Sequence, residues 1–88
     1  MKTFHLDILS AERVLFSDDI TALVVPAEYG YMGILADHIP LLAHLVSGKI
    51  TIKDRDGNAR TFGCDSNGFL EMLKNRATIV LYNAAAIC

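Results

Sequence analysis

Apolar residues recur along this chain with a period of two, and no stretch repeats them with the 3.6-residue period of an amphipathic helix. Phe4, Leu6 and Ile8 alternate with His5 and Asp7. Val14 and Phe16 restart the pattern, and residues 20–25 and 41–46 read as further strands. Turn signals cut the pattern at short intervals: Ser10-Ala11-Glu12, Ser17-Asp18-Asp19, Ser47-Gly48 and Asp56-Gly57. At the first of these a serine hydroxyl can satisfy backbone N–H groups where the chain reverses. Short strands between closely spaced turns define an all-β sandwich or barrel.

Residues 49–64 allow a register argument. Ile50 and Ile52 must share a face with Phe62 and Cys64, because a one-residue slip carries an apolar set to the opposite side of a strand. A two-residue Asp56-Gly57 turn would set Ile52 opposite Thr61 and mix the faces. A three-residue loop of Arg55, Asp56 and Gly57, with Gly57 left-handed, sets Ile50 opposite Phe62 and keeps the faces apart. The three-residue loop is therefore predicted. A last hairpin is expected from residues 69–73 and 77–82 around Lys74-Asn75-Arg76, where asparagine tolerates a left-handed turn.

The centre of the chain, residues 23–42, reads as strand, turn and strand. Leu23, Val24 and Val25 suit a pleated, half-buried surface, and Pro26, which has no N–H, is expected to end that strand. Gly30 and Gly33 are expected to hinge the turn before Ile34 and Leu35 re-enter the interior, and Pro40 to reset the chain. The tip so formed carries Glu28, Tyr29, Tyr31 and Met32. Tyr31 and Met32 suit either a partner contact or the edge of the core.

Eighty-eight residues make one domain, which at this size buries only about 60 to 70% of its unfolded surface, so a partner would help its stability. A 52% hydrophobic content excludes disorder, and a formal charge of −2 lacks the basic surplus of a nucleic-acid binder. The longest apolar stretch, residues 39–46, is broken by His44 and falls short of the ~20 residues that span a bilayer. His5 and Asp7 interrupt the N-terminus where a secretory signal would be apolar. Cys64 and Cys88 lie far apart without a C-x-x-C spacing, which suits free thiols, and Cys64 alternates with Phe62 as a core residue would.

No catalytic pattern emerges. His5, His38 and His44 lack the spacing of a metal site, and no cofactor or metal is expected. Ser66, His38 and Asp65 could be written as a triad, but no G-x-S-x-G elbow supports it. Asp54 and Asp56 flank Arg55 in what reads as a solvated turn. Gly30-Tyr31-Met32-Gly33 matches a GXXG loop in letters only: it joins strands, and its variable pair is not basic. His38, after Asp37, is expected to hydrogen-bond its turn or to line an interface.

Val24-Val25-Pro26, Gly30-x-x-Gly33-Ile34-Leu35, His38-x-Pro40-Leu41-Leu42 and Leu45-x-x-Gly48 closely resemble the N-terminal domain of the epsilon subunit of F-type ATP synthase. His5-Leu6-Asp7, Ser10-Ala11-Glu12, Phe16-Ser17, Gly68-Phe69-Leu70-Glu71 and residues 75–81 resemble the family's other signatures, in order, over nearly the whole chain. The chain departs at Ala27, at Ala36-Asp37 where the family usually has Pro-Gly, and at Asn67 where it usually has a second glycine. The resemblance implies a flattened all-β sandwich of about ten short strands in the Greek-key or jelly-roll manner, over residues 1–82, with 83–88 as a short tail. It implies a non-catalytic central-stalk subunit, peripheral at the cytoplasmic face of the inner (plasma) membrane, coupling rotation of the membrane ring to the gamma subunit. Glu28, Tyr29, Tyr31 and Met32 would face the ring loops, and Ser10 and His38 the gamma subunit. No nucleic acid and no direct membrane insertion are expected. Family members usually continue into two helices that brake ATP hydrolysis. Residues 83–88 span at most about 21 Å extended, so coupling without inhibition or nucleotide binding is expected of this chain. The bottom-up alternative is a free-standing ligand-binding sandwich, which would need a pocket with convergent polar groups.

Overall fold

A computed structural model describes residues 2–82. Among them are eight strands and no helix: β1 (Phe4–Leu9), β2 (Val14–Ala27), β3 (Gly30–Leu35), β4 (Leu41–Leu45), β5 (Gly48–Asp54), β6 (Ala59–Cys64), β7 (Gly68–Leu73) and β8 (Arg76–Leu81). The expected tail at 83–88, with Cys88, lies outside the described residues.

The 14-residue β2 belongs to both layers of the sandwich. Its first half pairs antiparallel with β1, from Phe4↔Ile20 to Leu9↔Val14. Its second half pairs with β3 on one side and β5 on the other, and β5 continues to β6. β1 runs parallel to β8, which leads through β7 to β4, and Ala27↔Leu45 returns the path to β2. The switch between layers falls at Thr21, where the β5 register slips between Ile20 and Ala22. An extra residue in one strand bends it and adds twist. The buried Thr21 hydroxyl sits at that bend, its one proton facing the Lys53 and Asp54 carbonyls, each at 3.2 Å.

The core fills the space between the layers. Alternate residues of each strand enter it: Phe4, Leu6 and Ile8 from β1, Leu70 and Met72 from β7, Ala77, Ile79 and Leu81 from β8, Ile50 and Ile52 from β5. Burying each large aliphatic side chain contributes about 1.5–3 kcal/mol. Cys64 is in this core as expected, its thiol directed at the Ser66 carbonyl at 3.5 Å.

The β5–β6 hairpin has the predicted register, Ile50↔Phe62, and the predicted three-residue loop. The Asp54 N–H donates to the Asn58 carbonyl at 2.9 Å, the Gly57 N–H to the Asp54 carbonyl at 3.1 Å, and Gly57 sits at φ +86°. Ser10 also acts as read: its Oγ accepts from the Glu12 and Arg13 N–H groups at 3.4 and 3.3 Å.

Other expectations are corrected. Ser17-Asp18-Asp19 is not a turn, because β2 runs straight through it. Ser17 and Asp19 lie opposite Asp7 and His5 of β1, and these polar partners hold the strand extended where the three letters alone suggest reversal. Two expected strands thereby merge, and the all-β sandwich shows eight strands among the described residues rather than about ten. Pro26 does not end β2: the strand reaches Ala27, and the Pro26 carbonyl accepts from Val46 N–H at 2.9 Å. Gly33 is no hinge, since it lies within β3 opposite Val24 without a positive φ. Gly30, at φ +129°, is the residue that needs glycine, and the reversal occupies Glu28 and Tyr29. In the last hairpin the turn is Lys74-Asn75, at φ +51° and +58°, while Arg76 already pairs with Leu73. Two successive positive φ values make the two-residue turn whose twist matches the flanking strands.

Candidate interaction surface

The β2–β3 hairpin carries the four tip residues expected to meet a partner, and it is tied to β4. The Glu28 N–H donates to the His44 carbonyl at 3.1 Å. Tyr29, at the turn, is 97% exposed. Tyr31 is 62% exposed and lies along the surface, where its hydroxyl oxygen accepts from Lys49 N–H at 3.1 Å. Gly48 makes room for it, since a Cβ there would stand 2.6 Å from the Pro26 Cβ and 2.9 Å from the Tyr31 hydroxyl oxygen. Met32 turns the other way, half-buried and packed on the core. The four residues therefore divide: Glu28 and Tyr29 have exposed side chains at the turn, Tyr31 is anchored by its end, and Met32 is edge core.

Between this tip and β4 lies a groove of about 450 Å³, lined by Glu28, Tyr29, Tyr31 and Met32 from the hairpin and by Leu42 and His44 from β4. Leu42 is 72% exposed. Glu28 Oε2 is 3.9 Å from His44 Nδ1, a loose pair with both side chains about half exposed, of the kind that contributes little. Aromatic rings and an exposed leucine around one carboxylate make a surface suited to protein contact rather than chemistry.

Sequence reasoning missed Leu42 and His44. The signal was present in β4, where Leu41, Ala43 and Leu45 alternate with them and take the inner side. The outer face they belong to continues across the sheet. His44 opposes Phe69, Phe69 opposes Val80 and Val80 opposes Leu9, so one row of four strands is apolar beyond its histidine.

Ser10 and His38 are not brought together. Ser10 follows Leu9 at one end of β1. His38 lies in the loop after β3, beside the β7–β8 turn, and that turn accepts His5 N–H at the other end of β1. The intervening strand is about 20 Å long. His38 bonds its own loop, through Nδ1 to the Ile39 carbonyl at 2.8 Å and through its N–H to Leu35 at 3.3 Å. Its neighbour Asp37, at φ +65°, takes the backbone shape that glycine adopts without strain. Asn75 holds it there: Asp37 N–H donates to Asn75 Oδ1 at 2.6 Å, and Asn75 Nδ2 donates to Asp37 Oδ1 at 2.9 Å. Lys2 Nζ completes the corner at 2.8 Å, and with Asn75 it keeps the Asp37 carboxyl below the usual carboxylate range.

The letters of a triad do not assemble. Ser66 lies in the β6–β7 loop, at the end of β7 away from His38, and its hydroxyl donates to the Asn67 carbonyl at 2.8 Å. Among the described residues, no three His, Cys, Asp or Glu side chains are grouped as metal ligands, and no helix is long and apolar enough to cross a membrane.

The chain is a two-layer β-sandwich with an exposed aromatic tip. The family described as "ATP synthase, Delta/Epsilon chain, beta-sandwich domain" matches residues 3–87, and the chain belongs to that family. It is 41% identical over 83 residues to the ATP synthase epsilon chain of Dichelobacter nodosus, covering 94% of this chain and 57% of that one. It is 38% identical over 85 residues to that of Alkalilimnicola ehrlichii, covering 97% and 60%. The chain thus spans little more than half the length of these relatives. Among solved structures, it superposes on a chain of the Euglena gracilis mitochondrial ATP synthase OSCP/F1/c-ring assembly with a TM-score of 0.84, 17% identity and coverage of 92% and 51%. On a chain of the Tetrahymena thermophila mitochondrial ATP synthase central stalk and c-ring, the TM-score is 0.73 at 10% identity, covering 93% and 65%. At these identities the likeness is one of fold.

Proposed function

We propose that this chain is the rotor-coupling sandwich of an F-type ATP synthase central stalk. It is non-catalytic, peripheral at the cytoplasmic face of the inner membrane, and links ring rotation to a gamma-type subunit. The observation that carries the reading is family membership across residues 3–87, which takes in every described strand. The tip suits the mechanical task. β2 runs unbroken from the layer switch to Ala27, Glu28 is bonded to His44 of β4 and Pro26 to Val46 just after it, so a load on Tyr29 or Tyr31 enters the middle of the sheet rather than a free loop. Glu28, Tyr29 and Tyr31 face the ring loops, with Leu42 and His44 completing the surface, and Met32 supports them from beneath. Ser10 and His38 meet gamma only if that interface follows the length of β1.

Co-expression with a gamma-type subunit tests the reading. The two are expected to co-purify, with amide exchange slowed at both ends of β1. Failure to co-purify, with both chains folded, would refute it.

A further inference from the structure

His5-Leu6-Asp7 stands out in the sequence, and it is neither part of the tip nor one of the two residues, Ser10 and His38, expected to meet gamma. Its polar side chains lie on the outer face of β1 beside the first half of β2, which over residues 14–19 is an edge strand paired with β1 alone among the described residues. His5 Nδ1 is 2.9 Å from Asp19 Oδ1, and Nε2 is 3.0 Å from Asp7 Oδ1 and 3.1 Å from Ser17 Oγ. Ser17 has one hydroxyl proton, and it is committed to Asp7 Oδ1 at 2.6 Å. Both ring nitrogens therefore face acceptors only. A neutral imidazole has one N–H and would set a bare lone pair against oxygen; the imidazolium donates at both ends.

We propose that His5, Asp7, Ser17 and Asp19 form a proton-operated clasp that locks the edge half of β2 onto β1. With His5 doubly protonated, the clasp is closed across the two strands. When the Nε2 proton leaves to solvent, the Ser17 hydroxyl can turn from Asp7 to the bare nitrogen, and Asp7 is left to Arg76 of β8, whose Nη1 lies 3.6 Å from its other oxygen. Arg76 is also the register partner of His5. Asp18 faces away and caps the Asp19 N–H at 2.8 Å.

The hydrogen bond to Asp19, then that to Asp7, raises the His5 pKa above 6.5 against the opposing cost of burial. A raised histidine pKa gives stability that is complete below 6.5 and lost as pH rises through the higher folded value. The clasp thus loosens, losing the Ser17–Asp7 bond, as pH rises through that raised value.

The test follows His5 ring ¹⁵N shifts and exchange-corrected protection of the Ser17 and Asp19 amides from about pH 6 to about pH 9, in the wild-type chain, His5→Gln and Asp19→Asn. In the wild type both ring nitrogens should be protonated at the acid end of this range, and protection should fall several-fold as the ring titrates with a midpoint above 6.5. His5→Gln should show no such fall, and Asp19→Asn should lower the His5 midpoint. A wild-type midpoint at or below 6.5, the same fall in His5→Gln, or an unmoved midpoint in Asp19→Asn would each overturn the clasp. Asp19→Asn keeps the ring and carries the test if His5→Gln does not fold.

Discussion

Gly68 and Gly33 are both strand glycines, and they should answer substitution in opposite ways. A Cβ on Gly68 would collide with the Val80 backbone carbonyl, and backbone cannot step aside as a side chain can. Gly68→Ala should therefore cost about 1–3 kcal/mol in thermal melts. Gly33 has open space above it and no positive φ, so Gly33→Ala should stay within about 0.5 kcal/mol of wild type. Equal losses at the two sites would contradict this packing. Asp7 gives a pH prediction. The Ser17 hydroxyl, then His5, hold its carboxyl below 3.8, so the stability it contributes is present above 3.8 and lost as pH falls through the lowered value. Asp7→Asn should weaken the domain at neutral pH and flatten the acid limb of its stability curve. Gly33 also shows why a glycine misleads in sequence: whether it marks a turn or a flat strand depends on what lies across from it, and that belongs to the fold.

At the scale of elements, the β7–β8 turn and the loop after β3 are held by one residue. Asn75 adopts φ +58° and makes both hydrogen bonds to Asp37. Asn75→Gly keeps the turn but loses the side-chain bonds, whereas Asn75→Ala loses them and adds about 1–2 kcal/mol of left-handed strain. Urea denaturation should rank wild type above Asn75→Gly and Asn75→Ala last; a reversal of the two variants would contradict the left-handed strain assigned to residue 75. The β5–β6 loop was legible in advance because both its strands carry their own apolar alternation, which fixes register locally. Ser17-Asp18-Asp19 was not, because the same letters serve as a turn or as an outward face, and the choice rests with His5 and Asp7 on another strand. The tip residues were legible as letters, but their partners Leu42 and His44 reach the groove only through β4 pairing.

For the whole molecule, the central claim is that a folded sandwich presents a rigid tip to a rotor partner. Met32→Ala should lower stability, because that side chain supports the core, while Tyr29→Ala, at a position 97% exposed, should leave the melting curve unchanged. The most direct measurement is binding of the membrane sector to a head complex carrying this chain, wild type against Tyr29→Ala and Tyr31→Ala. Exposed aromatic anchors at an interface centre carry about 2 kcal/mol or more each, so attachment should weaken at least about tenfold while the domain remains folded. Attachment at wild-type strength, with folded variants, would contradict the assignment of this tip to the rotor ring.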